Sequence, residues 1–331
     1  MEDNSNLLDS KINNSERDLF AIAFQTFMLS EKNKSIYKYD FNSSIPRRLI
    51  EIYNKRIKPS YNSMIYSFKR KYISNEKLIE KNDNIEQTKG LTLVYNYIQD
   101  YDVENKDLDI FIEALNINYL LWKPTDEKNN KDIMDLKNQK LEEARILREK
   151  AKENKDLESY KKAREIEKEI EVISFKSRIG GIIRSDEVKL NKWDINIPSA
   201  REASEFLNNY ISPSKKMEYK NALDNMNVID YITYCVKEVT DMIYYQPFLD
   251  GNKRTLRSLL NLMFKVKNIP PVYIKTGERE EYKKALYTAF KEHKYDQIIG
   301  FYLFKICDSI YELDIVPYLK SKDKMHNHRI L

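Results

Sequence analysis

Apolar residues recur along most of this chain at helical spacing. Ile229, Ile232, Val236, Val239 and Ile243 fall on one face of the run Val228 to Tyr245. Leu256, Leu259, Leu260 and Met263 do the same a few residues later. Earlier, Leu91, Val94 and Ile98 form one stripe, and Ile112, Leu115 and Leu120 another. Turn clusters are few, with 6 Gly and 9 Pro in 331 residues, so a mainly α fold is expected. The stretch 126–178 differs: Lys, Glu, Asn and Asp dominate and aliphatics are sparse. Ala144, Leu147 and Ala151, then Ala163, Ile166, Ile170 and Ile173, trace a narrow seam broken by Asn154-Lys155-Asp156. Two readings fit it: an inserted antiparallel helical hairpin, or a single solvated helix. The hairpin is the expectation. The division that follows is a flexible 1–20, an N-terminal helical region 21–125, an inserted charged hairpin 126–178, a core 179–312 and a C-terminal tail 313–331.

Between the two strongest helical patterns lies Gln246-Pro247-Phe248-Leu249-Asp250-Gly251-Asn252-Lys253-Arg254-Thr255-Leu256-Arg257. Pro247 ends the first helix, and Asp250-Gly251-Asn252 reads as a tight loop feeding the N-terminus of the second. A helix N-terminus offers backbone N–H groups and partial positive charge to an anion. Gly251 lets backbone approach a bound oxygen. Lys253, Arg254 and Arg257 add cations, and Asp250 is a hard oxygen ligand suited to Mg²⁺ beside phosphate oxygens. The bland alternative is a surface turn before a basic helix. Basic residues in a first helical turn oppose the macrodipole, which favours an anion there.

The segment resembles the signature of the Fic (Fido) family, His-x-Phe-x-Asp/Glu-Gly-Asn-Gly/Lys-Arg, with Gln246 where the family has His. Gly180-Gly181-Ile182-Ile183-Arg184-Ser185 and the polar stretch to Pro198 resemble the family's β-hairpin flap. Arg279 to Leu286 resembles the helix that follows the motif helix. The resemblance covers roughly residues 180 to 310. It implies a Fic-type helical bundle with a β-hairpin flap and, here, the inserted helical hairpin. It also implies transfer of AMP from ATP to a protein hydroxyl. Phe248 would anchor the loop, Asp250 bind Mg²⁺, and Gly251 and Asn252 form an anion hole. Lys253, Arg254 and Arg257 would hold phosphates, with Tyr282 beside the base. Gly181, Ile182, Ile183 and Arg184 would align the target by strand addition.

Gln246 departs from that pattern in kind. Gln can hydrogen-bond a hydroxyl but cannot take its proton, and a positioned base supplies about 10²–10⁴-fold. Phosphoryl transfer leans on positioning and electrostatics, so slow chemistry survives such a loss. His293, His326 and His328 lie in polar or terminal segments, remote from the motif in sequence. Many family members also carry an inhibitory helix whose Glu pairs with the second motif Arg. Asn62-Ser63-Met64-Ile65-Tyr66-Ser67 resembles it at Ser63 and Ile65, with Tyr66 in place of the Glu. On that alignment the segment offers Arg257 no carboxylate, and an absent brake is consistent with an absent base. An unrelated amphipathic segment fits equally well.

Net charge is +5, too mild to argue for nucleic acid, and no apolar run approaches the roughly 20 residues that span a bilayer. Cys235 and Cys307 sit in apolar patterns and read as core residues; no zinc pattern is present. With the polar start Met1-Glu2-Asp3-Asn4-Ser5, a cytoplasmic location is expected, leaderless secretion being the other route. Three functions stay open. One is a slow nucleotidyltransferase using ATP or another NTP with Mg²⁺. Another is a silent pseudoenzyme that binds nucleotide or protein. The third is a transferase with a different phosphate-linked donor. The 126–178 hairpin is a candidate docking arm for a protein partner.

Overall fold

The computed structural model describes residues 5–32, 41, 43–56, 61–80, 84–104, 107–173, 178–188 and 195–327. Apart from one isolated β-bridge, every regular element among them is helical. The first four helices are α1 (Ser5–Lys32), α2 (Ser44–Arg56), α3 (Tyr61–Ile79) and α4 (Ile85–Asp100). Next come α5 (Ile110–Asn154), α6 (Leu157–Val172), α7 (Ala200–Asn209) and α8 (Pro213–Asn225). The central pair is α9 (Val228–Tyr245) and α10 (Asn252–Val266). A 3₁₀ turn at Thr276–Glu278 leads to α11 (Arg279–Glu292), α12 (Asp296–Ile310), a π-helical stretch Tyr311–Ile315 and α13 (Val316–Asn327).

The apolar stripe of α9 is buried as its spacing predicts, from Ile229 to Ile243. α10 is buried on all sides, including Arg254, Arg257, Ser258, Asn261 and Lys265. A helix enclosed all round must satisfy its polar groups internally. Asn261 exchanges two hydrogen bonds with the backbone of Val272, and Lys265 Nζ donates to the carbonyls of Ile98, Gln99 and Tyr101 at the end of α4. Ser258 meets the Tyr72 hydroxyl of α3. α4 lies against α5 so closely that a Cβ on Gly90 would come within 2.0 Å of the Leu121 carbonyl oxygen.

α5 runs unbroken for 45 residues with Pro124 inside it, so the expected boundary at 125/126 falls within one helix. Lys155 turns the chain in the left-handed conformation and Asp156 caps α6. The two helices run antiparallel, with Ala144, Ala163 and Ile166 between them. Lys140–Glu169 and Arg148–Glu167 ion pairs flank that seam. The base of this hairpin is closed by Asp126, whose carboxylate accepts from Ile179 N and Gly180 N.

The expected β-hairpin flap is not shown. The segment 180–198 forms no β-hairpin among the described residues. Its one β contact is an antiparallel bridge from Ile183 to Phe248, and residues 189–194 lie outside those described. The chain is helical from Ser5. The C-terminal tail is helical to Asn327. The two ends hold each other: Arg17 pairs with Asp314, and Asp18 accepts from Tyr318 and Lys322. Ala21, Phe24 and Met28 of α1 are fully buried. No helix among the described residues is long and apolar enough to cross a membrane.

Candidate functional site

The loop between α9 and α10 is held from both sides. Gln246 ends α9 at φ 48°, ψ 56°, and Pro247 cannot continue the helix. The buried Arg184 guanidinium then caps α9: Nε donates to Gln246 O at 2.7 Å and Nη2 to Tyr245 O at 3.2 Å. It also donates to the carbonyls of Asp186 and Pro198. A cation suits a helix C-terminus, whose last carbonyls have no partner within the helix. Arg184 is therefore occupied with backbone. Next to it, Arg184 N donates to Pro247 O at 3.0 Å and Leu249 N to Ile182 O at 2.9 Å. The peptide groups of Ile182 and Arg184 are thus spent on the loop. Gly181 N donates to Asn118 Oδ1 at 2.8 Å.

From below, Phe248 is fully buried, and the Asn252 amide braces it in both directions: Phe248 N donates to Oδ1 at 2.7 Å and Nδ2 donates to Phe248 O at 2.9 Å. The Asp250 carbonyl accepts from Asn118 Nδ2 at 2.9 Å and Trp122 Nε1 at 3.3 Å. Asn118 also donates to Thr255 Oγ1, so one α5 side chain joins the 181 turn, the loop and α10. Gly251 is required here. Its φ is +78°, and a Cβ would lie 2.7 Å from Trp122 Nε1. No side chain caps the N-terminus of α10, which leaves its first N–H groups facing the loop concavity.

That concavity is a cavity of about 220 Å³ lined by Gln246, Leu249, Asp250, Gly251, Asn252, Lys253 and Arg254, with Val188 and Glu80 at its edge. Six of the residues singled out from sequence thus share one small polar space. Arg254 is only 7% exposed, lies 5.4 Å over the Trp122 ring and donates to Gln87 Oε1. Among the described residues no carboxylate forms an ion pair with it. Burial lowers its pKa, and the more distant Glu80 and Asp250 work against that. Burial lowers Lys253 as well; Glu80 works against that, while the cations Arg257, Lys283 and Arg279 add to the lowering. Positive charge is thus crowded at a helix N-terminus that no side chain caps.

Arg257 lies behind this cavity and is differently placed. Its Nε and Nη2 reach Glu76 at 3.0 and 2.6 Å, and Nη2 reaches Glu80 at 2.8 Å. Burial of Glu80 raises its pKa, but Arg257 outweighs it and the net direction is down. Arg257 thus has intramolecular carboxylate partners, from outside the 62–67 segment in which the sequence comparison sought one. The side chains of Asn62, Ser63, Ile65 and Tyr66 lie outside the described residues, but Glu76 of α3 and Glu80 just past its end supply two carboxylates. Tyr282 is buried with Arg257 5.7 Å over its ring.

At position 246 no titratable group is present, and the amide nitrogen donates to Ile243 O. His293 caps the exposed C-terminus of α11 and does not line the cavity. The His326 side chain and His328 lie outside the described residues. Cys235 and Cys307 are buried free thiols, with pKa values raised by burial, as core residues should be. Sequence reading missed Asn118, Trp122, Gln87, Glu76 and Glu80. Only the glutamates left a signal, an i,i+4 pair that continues the inward face of Phe68 and Tyr72.

No protein-family model matches the chain. Among solved structures it is similar to Fic-1 (aa134–508) from C. elegans, with a TM-score of 0.45 and 14% identity over 95% of this chain and 72% of that one. It is also similar to a Glu-to-Gly form of that same protein, with a TM-score of 0.44 and 13% identity over 97% of this chain and 74% of the other. Likeness at this level assigns neither fold nor family, so the functional reading rests on the motif and the geometry around it.

Proposed function

We propose that the cavity at the N-terminus of α10 binds the phosphate chain of ATP or another nucleoside triphosphate. On this reading the chain is a slow Fic-like nucleotidyltransferase that moves AMP to a protein hydroxyl. The observation that carries it is the buried Arg254, held by a neutral amide and an aromatic face and lacking any carboxylate in contact among the described residues. A buried cation left this way is costly unless an anion joins it. A volume of about 220 Å³ suits phosphate groups and is below the usual range for a whole ligand, so ribose and base would lie outside it.

Asp250 is the carboxylate that would hold Mg²⁺, a metal that commonly takes one or two carboxylates and completes its shell with water and phosphate. When bound, that ion would offset charge on the phosphates. The chain's own residues do the rest. Arg254, Lys253 and the first N–H groups of α10 would fix the phosphates. Gln246 would orient the target hydroxyl as its oxygen bonds to the α-phosphorus and pyrophosphate leaves. The hydroxyl proton passes to water, since Gln246 cannot take it. Ile182 and Ile183 border the loop where a target segment would lie, and the α5–α6 hairpin is the surface assigned to docking the target.

A second reading is a silent nucleotide-binding module. It is favoured by the two glutamates on Arg257 together with the missing base. Label transfer from radiolabelled ATP and Mg²⁺ in lysate separates the two, using the native chain, Gln246→His and Arg254→Ala. Transfer by the native chain, lost in Arg254→Ala and raised about 10²-fold or more in Gln246→His, is the expected result. Transfer by Gln246→His alone would establish the silent module. Failure of all three, with no ATP binding by calorimetry, would overturn the phosphate-site reading.

A further inference from the structure

A second groove lies away from the motif, on the outer side of α3. Its volume is about 750 Å³, within the range of real binding sites. α3 and α4 run antiparallel there, bridged by Lys69 Nζ to Asn96 Oδ1 at 2.9 Å. Arg70, Ile73, Lys77 and Leu78 of α3 face Thr88 and Thr92 of α4 across the groove. Every charged side chain in this lining is a cation. Arg70 and Lys77 have no ion-pair partner among the described residues, and Leu78 is 53% exposed. Cation, aliphatic and cation therefore repeat over about 10 Å of helix, beside a row of threonines.

We propose that this groove docks an acidic amphipathic helix of a partner protein. Two helices side by side form the ridges and groove into which a third helix packs, with apolar anchors in the floor and carboxylates toward the cations. The opposite face of α3 carries Phe68, Tyr72 and Glu76 into the core, so the helix is the wall between this groove and the Arg257 ion pairs. Resting on the function proposed above, an occupant that shifts α3 changes how firmly Glu76 and Glu80 hold Arg257. By reciprocity, nucleotide then changes the occupant's affinity by the same factor.

The test uses the full chain without nucleotide and two fluorescent peptides of about 18 residues, one Leu/Glu and one Leu/Lys amphipathic helix, about five turns each. Fluorescence anisotropy should show the Leu/Glu peptide binding about tenfold or more tightly than the Leu/Lys peptide. That binding should weaken about tenfold in R70E/K77E, weaken also in L78D, and persist in R254A. Circular dichroism establishes that the variants fold, and L78D decides if R70E/K77E does not. Equal binding of the two peptides, or insensitivity to both groove variants, overturns the proposal. So does displacement of the peptide by inorganic tripolyphosphate in R254A, where the α10 phosphate site is disabled, which would mark a free-anion site in the groove. Self-association of the native chain that R70E/K77E abolishes would assign the groove to a second copy instead. None of these outcomes depends on nucleotide transfer.

Discussion

Replacing Glu76 by Gln tests whether the carboxylates at the end of α3 and just beyond it compete with phosphate for Arg257. Glu76 is 1% exposed and Arg257 4%, and the pair is bidentate, at 3.0 and 2.6 Å. Removing one partner of a buried pair costs about 3–5 kcal/mol when the other charge is stranded. Here Glu80 remains at 2.8 Å and the Gln oxygen can still accept from Nε, so about 2–3 kcal/mol is expected. For a chain of this size that corresponds to a fall in Tm of roughly 3–4 °C. The same change should strengthen ATP–Mg²⁺ binding, because phosphate then meets an under-compensated guanidinium. A gain of about tenfold in affinity corresponds to about 1.4 kcal/mol. Thermal melts with and without ATP, together with calorimetry, read both effects. The ligand-induced rise in Tm should be larger in the variant than in the native chain. A variant that loses stability while its ATP affinity stays level or drops would refute competition and leave Glu76 as a purely structural partner.

Further outcomes follow from individual contacts. Asn118→Ala removes the donors to the Asp250 carbonyl and Thr255 and the acceptor for Gly181 N; it should cost about 2–3 kcal/mol and weaken ATP binding, read by urea melts and calorimetry. Gly251→Ala should cost at least about 1 kcal/mol, because φ is +78° and the new Cβ meets Trp122; an unchanged Tm would refute that. Glu281 has both carboxyl oxygens unpartnered in a buried position, and burial, then Glu278, push its pKa up to about 7. The folded state thus holds its proton more tightly than the unfolded one. That stability is complete below the ordinary carboxylate range and is lost as pH rises to about 7. Glu281→Gln should remove about 2 kcal/mol of this slope between pH 5 and 8, and parallel pH–stability curves would contradict it.

What the sequence made legible was local. The stripes of α9 and α10 need only their own spacing, and the motif residues converge because they fall within the nine positions 246–254, one loop and the helix start it feeds. Glu76 was out of reach because its bond to Arg257 joins residues 181 positions apart, and the register of α3 on α10 decides which glutamate arrives. Asn118 was invisible for the same reason, being a polar residue inside an apolar helix whose partners come from elsewhere. The hairpin flap was expected from resemblance, not from strand alternation. Instead, the peptide groups of Ile182 and Arg184 are taken by Leu249 and Pro247. The shift to a charged composition suggested a boundary at 125/126 where the helix in fact continues, steadied there by Asp126 on Ile179 and Gly180.

The unbroken course of α5 makes it a lever as well as a scaffold. Asn118 and Trp122, which grip the Asp250 carbonyl, sit on its inner arm, and Asn154 ends its outer arm about 48 Å farther on. Pro124 lies between the arms, where a helix lacks one hydrogen bond and bends most easily. A bend of about 5° there would sweep the outer end through about 4 Å while displacing the grip on the loop by a small fraction of that. Large excursions outside thus become small, stiff adjustments at the carbonyl that sets the start of α10, and holding the far end still would hold that carbonyl still as well.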